Sequence, residues 1–422
     1  MSGDRPATAR ADAERLDAED PLAWLRDRFL VADPDLVYLD GNSLGRLPRA
    51  TPAAVDEAIR EGWGRRLVGS WDEWVDLPQR VGDRLAQSVL GAAPGQVAVS
   101  DSTSVNLYKL AAAALDARPG RPLLLSSTDN FPSDRYVLEG LAAARGLELR
   151  LLAPTPAGGV GAEAVEAALG PDVALVSLSH VSYLTGAIED VAAITRAAHR
   201  AGALVLWDLC HSAGAVPVEL DAWGVDLAVG CTYKYLNAGP GAPAFLYVRR
   251  ELQEWLRQPV WGWWGQRDQF AMGRAYDPDP SIARFLVGTP PILSLVPVAT
   301  GVDVLAEAGI PALRTRSRAL TDLAVRLWEA WLEPLGFRLA SPRDPDRRGG
   351  HVSLAHPDAY RASRALIDER VVPDFRAPDL LRLAPAPAYT RFVEVWDGMD
   401  RLRCLVEAGR HLAYEPRPGR VT

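Results

Sequence analysis

The chain has 422 residues, 48% hydrophobic and 24% charged, with 46 Lys and Arg against 54 Asp and Glu and a net charge of -8. This is globular composition with room for a large domain and a smaller one, and the acidic balance argues against a nucleic-acid or anionic-membrane surface as the main partner. Cys210, Cys231 and Cys404 are too few and too scattered for a disulfide framework or a zinc site, the first 20 residues lack an apolar export core and no apolar run reaches 18 residues, so a reducing cytoplasm is the expected setting.

From about residue 95 to 250, short apolar runs at 96–100, 122–126, 147–152, 172–178, 203–208, 226–230 and 244–248 alternate with Ala-rich helical patterns at 103–115, 134–145, 162–169 and 190–201. Seven such runs predict a mostly parallel seven-stranded α/β sheet with crossover helices. Segment 255–292 breaks the rhythm: Trp255, Trp261, Trp263, Trp264, Phe270 and Tyr276 lie among Gly and Pro. It reads as an irregular aromatic loop, either a cap on the core or a binding wall or subunit contact. After Pro311, helical patterns at 312–335 and 391–412 flank strand-like pieces at 351–355 and 380–383, the outline of a small α+β domain. The expected organisation is an N-terminal segment 1–50 packing on the small domain, a large α/β domain 51–305 and a small C-terminal domain 306–422.

Only two of the 46 basic side chains are lysine, Lys109 and Lys234. Arginine can replace lysine as a surface charge but not as an imine-forming amine, because a guanidinium keeps its proton. Lys234 follows the apolar run 226–229 within Gly230-Cys231-Thr232-Tyr233-Lys234-Tyr235-Leu236-Asn237, so it is a candidate for covalent cofactor attachment at a strand end. Asp208 ends the run Ala203-Leu204-Val205-Leu206-Trp207, at the sheet edge where open α/β folds bind ligands. It reads either as a helix N-cap or as the partner of a protonated ring nitrogen such as that of pyridoxal phosphate. Asp101-Ser102-Thr103-Ser104 opens a helix and is either a plain cap or a phosphate cradle. Phe131, in Asp129-Asn130-Phe131-Pro132-Ser133-Asp134, could stack on a planar cofactor or belong to a surface turn, and His211 could lie against the same ring or satisfy the core.

Taken together, Gly41-Asn42-Ser43-Leu44-Gly45, the segment 101–109, Asn130-Phe131-Pro132-Ser133-Asp134, Trp207-Asp208-Leu209-Cys210-His211-Ser212-Ala213-Gly214, Tyr233-Lys234-Tyr235-Leu236-Asn237 and Gly288-Thr289-Pro290-Pro291-Ile292-Leu293 resemble kynureninase, over about residues 20–410. The resemblance implies a homodimeric fold type I pyridoxal-phosphate enzyme, related to class V aminotransferases and cysteine desulfurases, that hydrolyses L-kynurenine to anthranilate and alanine in tryptophan catabolism. It makes Lys234 the cofactor lysine, Asp208 the pyridinium partner, His211 its neighbour and Phe131 the stacking ring. Thr103, Ser104 and Tyr233 match phosphate contacts, Tyr233 also serving as proton donor, and Trp263 matches a tryptophan reaching the phosphate from the partner subunit. Pro132, Ser133, Asp134 and Ser179 match positions around the cofactor, and Thr289 a cross-subunit contact. Arg382 matches the receptor of the substrate α-carboxylate, a task that suits bidentate guanidinium geometry, and Asn42, Ser43 and Trp63 fall on the substrate side.

The chain departs from many bacterial relatives at Gln266, where they carry His, and at Leu184, where they carry a basic residue. Trp63 and Thr289 stand where animal members favouring the 3-hydroxy substrate carry His and Asn, which tilts the reading toward unsubstituted kynurenine. The alternatives are a hydrolase of ring-substituted kynurenines in a specialised pathway and a cysteine desulfurase. The latter needs a nucleophilic cysteine on a mobile loop, whereas Cys404 falls in a predicted helix. A non-enzymatic scaffold would lack either the lysine or the carboxylate-binding arginine.

Overall fold

The computed structural model describes residues 8–155 and 158–416. Strand β1 (Val37–Tyr38) precedes the central sheet, which is built from β2 (Val97–Val99), β3 (Leu123–Ser127), β4 (Glu148–Leu152), β5 (Val173–Ser179), β6 (Leu204–Asp208), β7 (Leu227–Gly230) and β8 (Phe245–Val248). Their order is β2-β8-β7-β6-β5-β3-β4. Only β8 is reversed, pairing antiparallel with both β2 and β7. The carboxyl ends of the other six strands therefore share one edge. The cause is local: the 231–244 connection between β7 and β8 contains no helix, and a connection that short without one folds back beside its strand instead of crossing over.

The inner strands are buried on both sides, as in sheets sandwiched between helices, while edge strand β4 is partly exposed. Leu123, Leu125, Val205 and Trp207 face one core and Leu124, Leu206, Val229 and Leu246 the other. Helix α1 (Arg10–Ala18) belongs to the N-terminal segment, while α2 (Thr103–Asp116), α3 (Pro132–Arg145), α4 (Ala162–Ala168) and α5 (Val191–Arg200) are the crossovers. Their starts follow capping chemistry: Ser102 caps α2, Pro132 opens α3, and Asp190 caps α5 by accepting from Ala193 N at 2.8 Å. The sequence pattern missed helix α6 (Ile292–Ala308), apolar through much of its length and carrying Pro297 in its interior. Its periodicity is blurred because it is packed on several sides. Segment 255–292 contains short 3-10 turns at Trp263–Gly265, Gln269–Ala271 and Ile282–Phe285.

Beyond α7 (Ile310–Leu327), strands β9 (Arg338–Leu339), β10 (Val352–Ala355), β12 (Asp374–Arg376) and β13 (Leu380–Leu383) form an antiparallel sheet, β12-β13-β10-β9, packed against α7 and the helix Ala359–Asp368, and helix α8 (Phe392–Glu407) lies against both of these helices. The N-terminal segment is tied to this unit. β1 pairs in parallel with β11 (Val371–Val372), and Asp17 caps α8 by accepting from Phe392 N at 2.7 Å and Val393 N at 3.0 Å. Arg26 grips Glu394 with two 2.9 Å bonds. No single helix among the described residues is long and apolar enough to cross a membrane.

Gly301 in α6 lies so close to the β7–β8 connection that a Cβ there would stand 2.1 Å from the Leu236 carbonyl oxygen. Gly301→Ala should therefore lower stability by about 1–3 kcal/mol, the usual range for forced overpacking. Urea unfolding of both proteins checks this, and an unchanged midpoint would show that the helix can slide away.

Candidate active site

The shared carboxyl edge opens into a cleft of about 700 Å³. Each strand end delivers its own chemistry to it. The β2–α2 turn brings Ser102, Thr103 and Ser104, the β3–α3 turn brings Phe131, Ser133 and Asp134, and β5 brings Ser179 with Tyr183 just beyond. Asp208, Cys210 and His211 follow β6, and Tyr233, Lys234, Ala242 and Ala244 line the cleft from the β7–β8 connection.

Lys234 Nζ lies 2.9 Å from His211 Nε2. Burial, reinforced by the charge of Lys234, pushes the imidazole well below its ordinary range. The ring is therefore neutral and meets Lys234 through Nε2, while Nδ1 is buried with no hydrogen-bond partner. The ammonium also stands 5.7 Å from the Phe131 ring centroid and 6.0 Å from that of Tyr233. Backbone bonds fix the lysine's turn: Gly45 N donates to Tyr233 O at 2.8 Å, Asn237 N to Lys234 O at 3.0 Å and Ala238 N to Thr232 O at 3.1 Å.

Asp208 stands at the end of β6, where its side chain closes a local turn and caps no helix. One oxygen accepts from Cys210 N at 2.7 Å, while the carboxylate also faces Asp134. Burial, then the charge of and hydrogen bond to Asp208, push the Asp134 carboxyl well above its ordinary range, so Asp134 is the protonated donor of the pair. Its Oδ2 is buried without a partner. Ser179 Oγ donates to Asn130 Oδ1 at 2.7 Å and so holds the β3–α3 turn.

Several other residues expected at the site do not line this cleft. Arg382 is buried on β13, where its Nε donates to Asp374 at 2.5 Å and its guanidinium also pairs with the Tyr183 carbonyl. Asp40, close to this pair, has its carboxyl raised to about 7, by burial and then by Asp374. Asn42 is buried with both amide atoms unpartnered, and Ser43 is half-buried beside it. Pro132 starts α3 behind Phe131. Trp63 is 60% exposed and Trp263 40%, and Thr289 is exposed as well. Sequence reading did not single out Tyr183, whose ring stands edge-on to Phe131 at 5.1 Å. It also took Cys210 and Cys231 as scattered, whereas the β6–β7 register makes them neighbours and Cys231 N donates to Cys210 Sγ at 3.2 Å.

The cleft fits a pyridoxal phosphate on its own chemistry. Hydroxyls at the start of a 14-residue helix suit a phosphate, a carboxylate on the cleft floor suits a ring N–H⁺, and the orphaned Asp134 Oδ2 and His211 Nδ1 offer buried polar atoms to a ring's substituents. Lys234 supplies the amine.

Residues 313–402 match the kynureninase C-terminal domain family. Kynureninase of Burkholderia pseudomallei (strain K96243) is 46% identical over 406 residues, covering 94% of this chain and 95% of that protein. Kynureninase of Pseudomonas fluorescens is 45% identical over 403 residues, with the same coverage. Among solved structures, the apo cysteine desulfurase of Thermococcus onnurineus NA1 superposes with a TM-score of 0.79 at 20% identity, covering 92% of this chain and 98% of its own. A C-DES mutant with glycine covalently linked to its pyridoxal phosphate superposes with a TM-score of 0.75 at 20% identity, covering 88% and 97%. The two structures share the fold type I architecture with this chain and, at that identity, nothing narrower. Identity more than twice as high along nearly the whole length is a closer relationship, and by it this chain belongs to the kynureninase family.

Proposed function

We propose that this protein is a pyridoxal-phosphate-dependent kynureninase, which hydrolyses the Cβ–Cγ bond of L-kynurenine with one water to give anthranilate and L-alanine. The observation that carries this reading is the meeting in one cleft of Lys234, the neutral His211 and the Asp134–Asp208 pair, in a chain 46% identical to a kynureninase.

Bound pyridoxal phosphate supplies an electron sink next to the substrate α-carbon. The side chains do the rest. Thr103 and Ser104 hold the phosphate, and Phe131 covers the ring. Asp208 holds the ring-nitrogen proton, while protonated Asp134 keeps the floor at one negative charge instead of two. Lys234 Nζ attaches the cofactor and moves the α-proton, with His211 Nε2 fixing its direction. Burial keeps the Tyr233 phenol well above its ordinary range, so at neutral pH it retains a proton to give to the β-carbon. We assign the α-carboxylate to Arg382, which lies outside the cleft lining and would exchange part of its pairing with Asp374 and the Tyr183 carbonyl for the substrate.

The active unit in this reading is a homodimer with shared sites. Trp63, Trp263 and Thr289 are exposed on their own chain and do not line its cleft, so their role is at the cleft of a second copy. Exposed Leu67, Val68, Trp261, Phe270 and Met272 give that contact its apolar area. A desulfurase reading is disfavoured by the thiols. Cys404 lies on α8, away from the cleft, and the Cys210 thiol is pushed well above its usual range by its hydrogen bond to Cys231 and by burial.

Purified enzyme should release anthranilate from L-kynurenine with a higher kcat/KM than it shows for 3-hydroxykynurenine. Lys234→Arg should abolish turnover, because the charge stays and the reactive amine goes. Anthranilate release by that variant at the wild-type rate would remove Lys234 from the chemistry.

Asp40 makes substrate affinity depend on pH. Its carboxyl is neutral below about 7 and charged above, where the added negative charge offsets Arg382. KM for kynurenine should rise as the pH passes upward through that value, and Asp40→Asn should flatten the profile. Parallel profiles for the two proteins would clear Asp40 of this role.

Lys234→Ala and Trp263→Ala, each inactive alone, should recover up to about a quarter of wild-type activity when mixed and reassembled, since half the dimers are hybrid and one of their two sites is native. A fully active monomer by sedimentation would contradict the shared site.

A further inference from the structure

Lys109, the only other lysine, takes no part in the chemistry above and does not line the cleft. It sits on α2 and is fully buried. Helical side chains lean toward the helix start, and Lys109 reaches back past the first turn. Its Nζ lies 2.6 Å from Asp101 Oδ2 and 2.8 Å from the Phe285 carbonyl oxygen.

Asp101 is the last residue before the Ser102–Ser104 turn, and its backbone is left-handed, with φ +53°. Asp enters that region more readily than most L-residues, and contacts with its surroundings hold it there. Three contacts do so here: Lys109, Ser100 Oγ donating to Asp101 Oδ2 at 3.0 Å, and Ala244 N donating to Asp101 O at 2.8 Å. Asp101 leads directly into Ser102, Thr103, Ser104 and the first N–H groups of α2. The second acceptor, Phe285 O, lies four residues before Thr289. One ammonium thus ties the hydroxyl turn to the segment that presents Thr289 at the surface.

A guanidinium could not make the same pair of contacts. It is planar and wider than an ammonium, and Lys109 is fully buried, where added bulk costs stability. That accounts for a lysine surviving here in a chain whose other basic residues, apart from Lys234, are arginine. Burial pulls the amine below its ordinary range and Asp101 pulls it back, so the pair stands or falls as a unit.

We propose that Lys109 is a positioning residue for the cofactor's phosphate: by clamping Asp101 it aims the Ser102–Ser104 turn into the cleft and sets how strongly a phosphate is held there. The inference rests on the reading of that turn as a phosphate cradle. The test is equilibrium dialysis of wild-type, Lys109→Met and Asp101→Asn enzyme against graded pyridoxal phosphate or pyridoxal, reading bound cofactor, with Tm measured alongside. Wild type should hold the phosphorylated form far more tightly. In Lys109→Met the pyridoxal-to-pyridoxal-phosphate Kd ratio should fall by about tenfold or more, with pyridoxal itself within about twofold of wild type. Asp101→Asn tolerates the left-handed backbone but loses the charge, so it should move the same way and decides the matter if Lys109→Met is insoluble. A wild-type ratio near one removes the cradle reading and this inference with it. A large wild-type ratio that both variants keep, even with a lowered Tm, overturns the inference alone.

Discussion

The site depends on holding one buried amine at the cleft without letting its chain segment move. Lys234 is carried by a connection with no helix of its own, so its position comes from backbone contacts on two sides. From one side Gly45 comes so near that a Cβ would lie 2.3 Å from the Lys234 carbonyl oxygen, and from the other Gly301 presses on Leu236. Asn237 then leaves the turn with φ +59°. Close approach and left-handed backbone recur at the hydroxyl turn, where Asp101 has φ +53°. Strained geometry of this kind persists only where packing over-determines it.

Ionisable groups in and around the cleft stand close enough to set one another's protonation. The Asp134–Asp208 floor carries one proton between two carboxyls, and the amine rests against an imidazole that burial keeps uncharged. Around Arg382, Asp374 balances the guanidinium while Asp40 is held near the midpoint of its titration at neutral pH. Burial makes each of these interactions stronger than it would be in water and makes an unpaired charge costly.

The N-terminal segment helps build the site although it lies far from it along the chain. Gly41 N reaches Ala384 O at 3.3 Å, beside Arg382, and four residues later Gly45 meets the lysine turn. The segment 41–45 therefore links the small C-terminal sheet to the β7–β8 connection. Asp17 and Arg26 anchor the same segment to α8.

Local chemistry made much of this legible in the sequence. Strand runs, crossover helices and their caps are set by short-range propensity and by burial on both faces of a sheet, and an amine or carboxylate at a strand end lies at the functional edge once the strands are parallel. Lys234, Asp208 and the Ser102–Ser104 turn could therefore be singled out from the residues themselves. The sequence did not show helix α6, whose burial on several sides erases its period, or the reversal of β8. Nor did it show the pairing of Asp134 with Asp208, of Cys210 with Cys231, or of Lys109 with Asp101 and Phe285. Those pairings join residues from 8 to 176 positions apart, and only strand register and helix packing bring them together. What the sequence determined was which groups stand at the cleft's edge; the tertiary structure decided which of them share a proton, because protonation follows distance and burial, and neither is encoded locally.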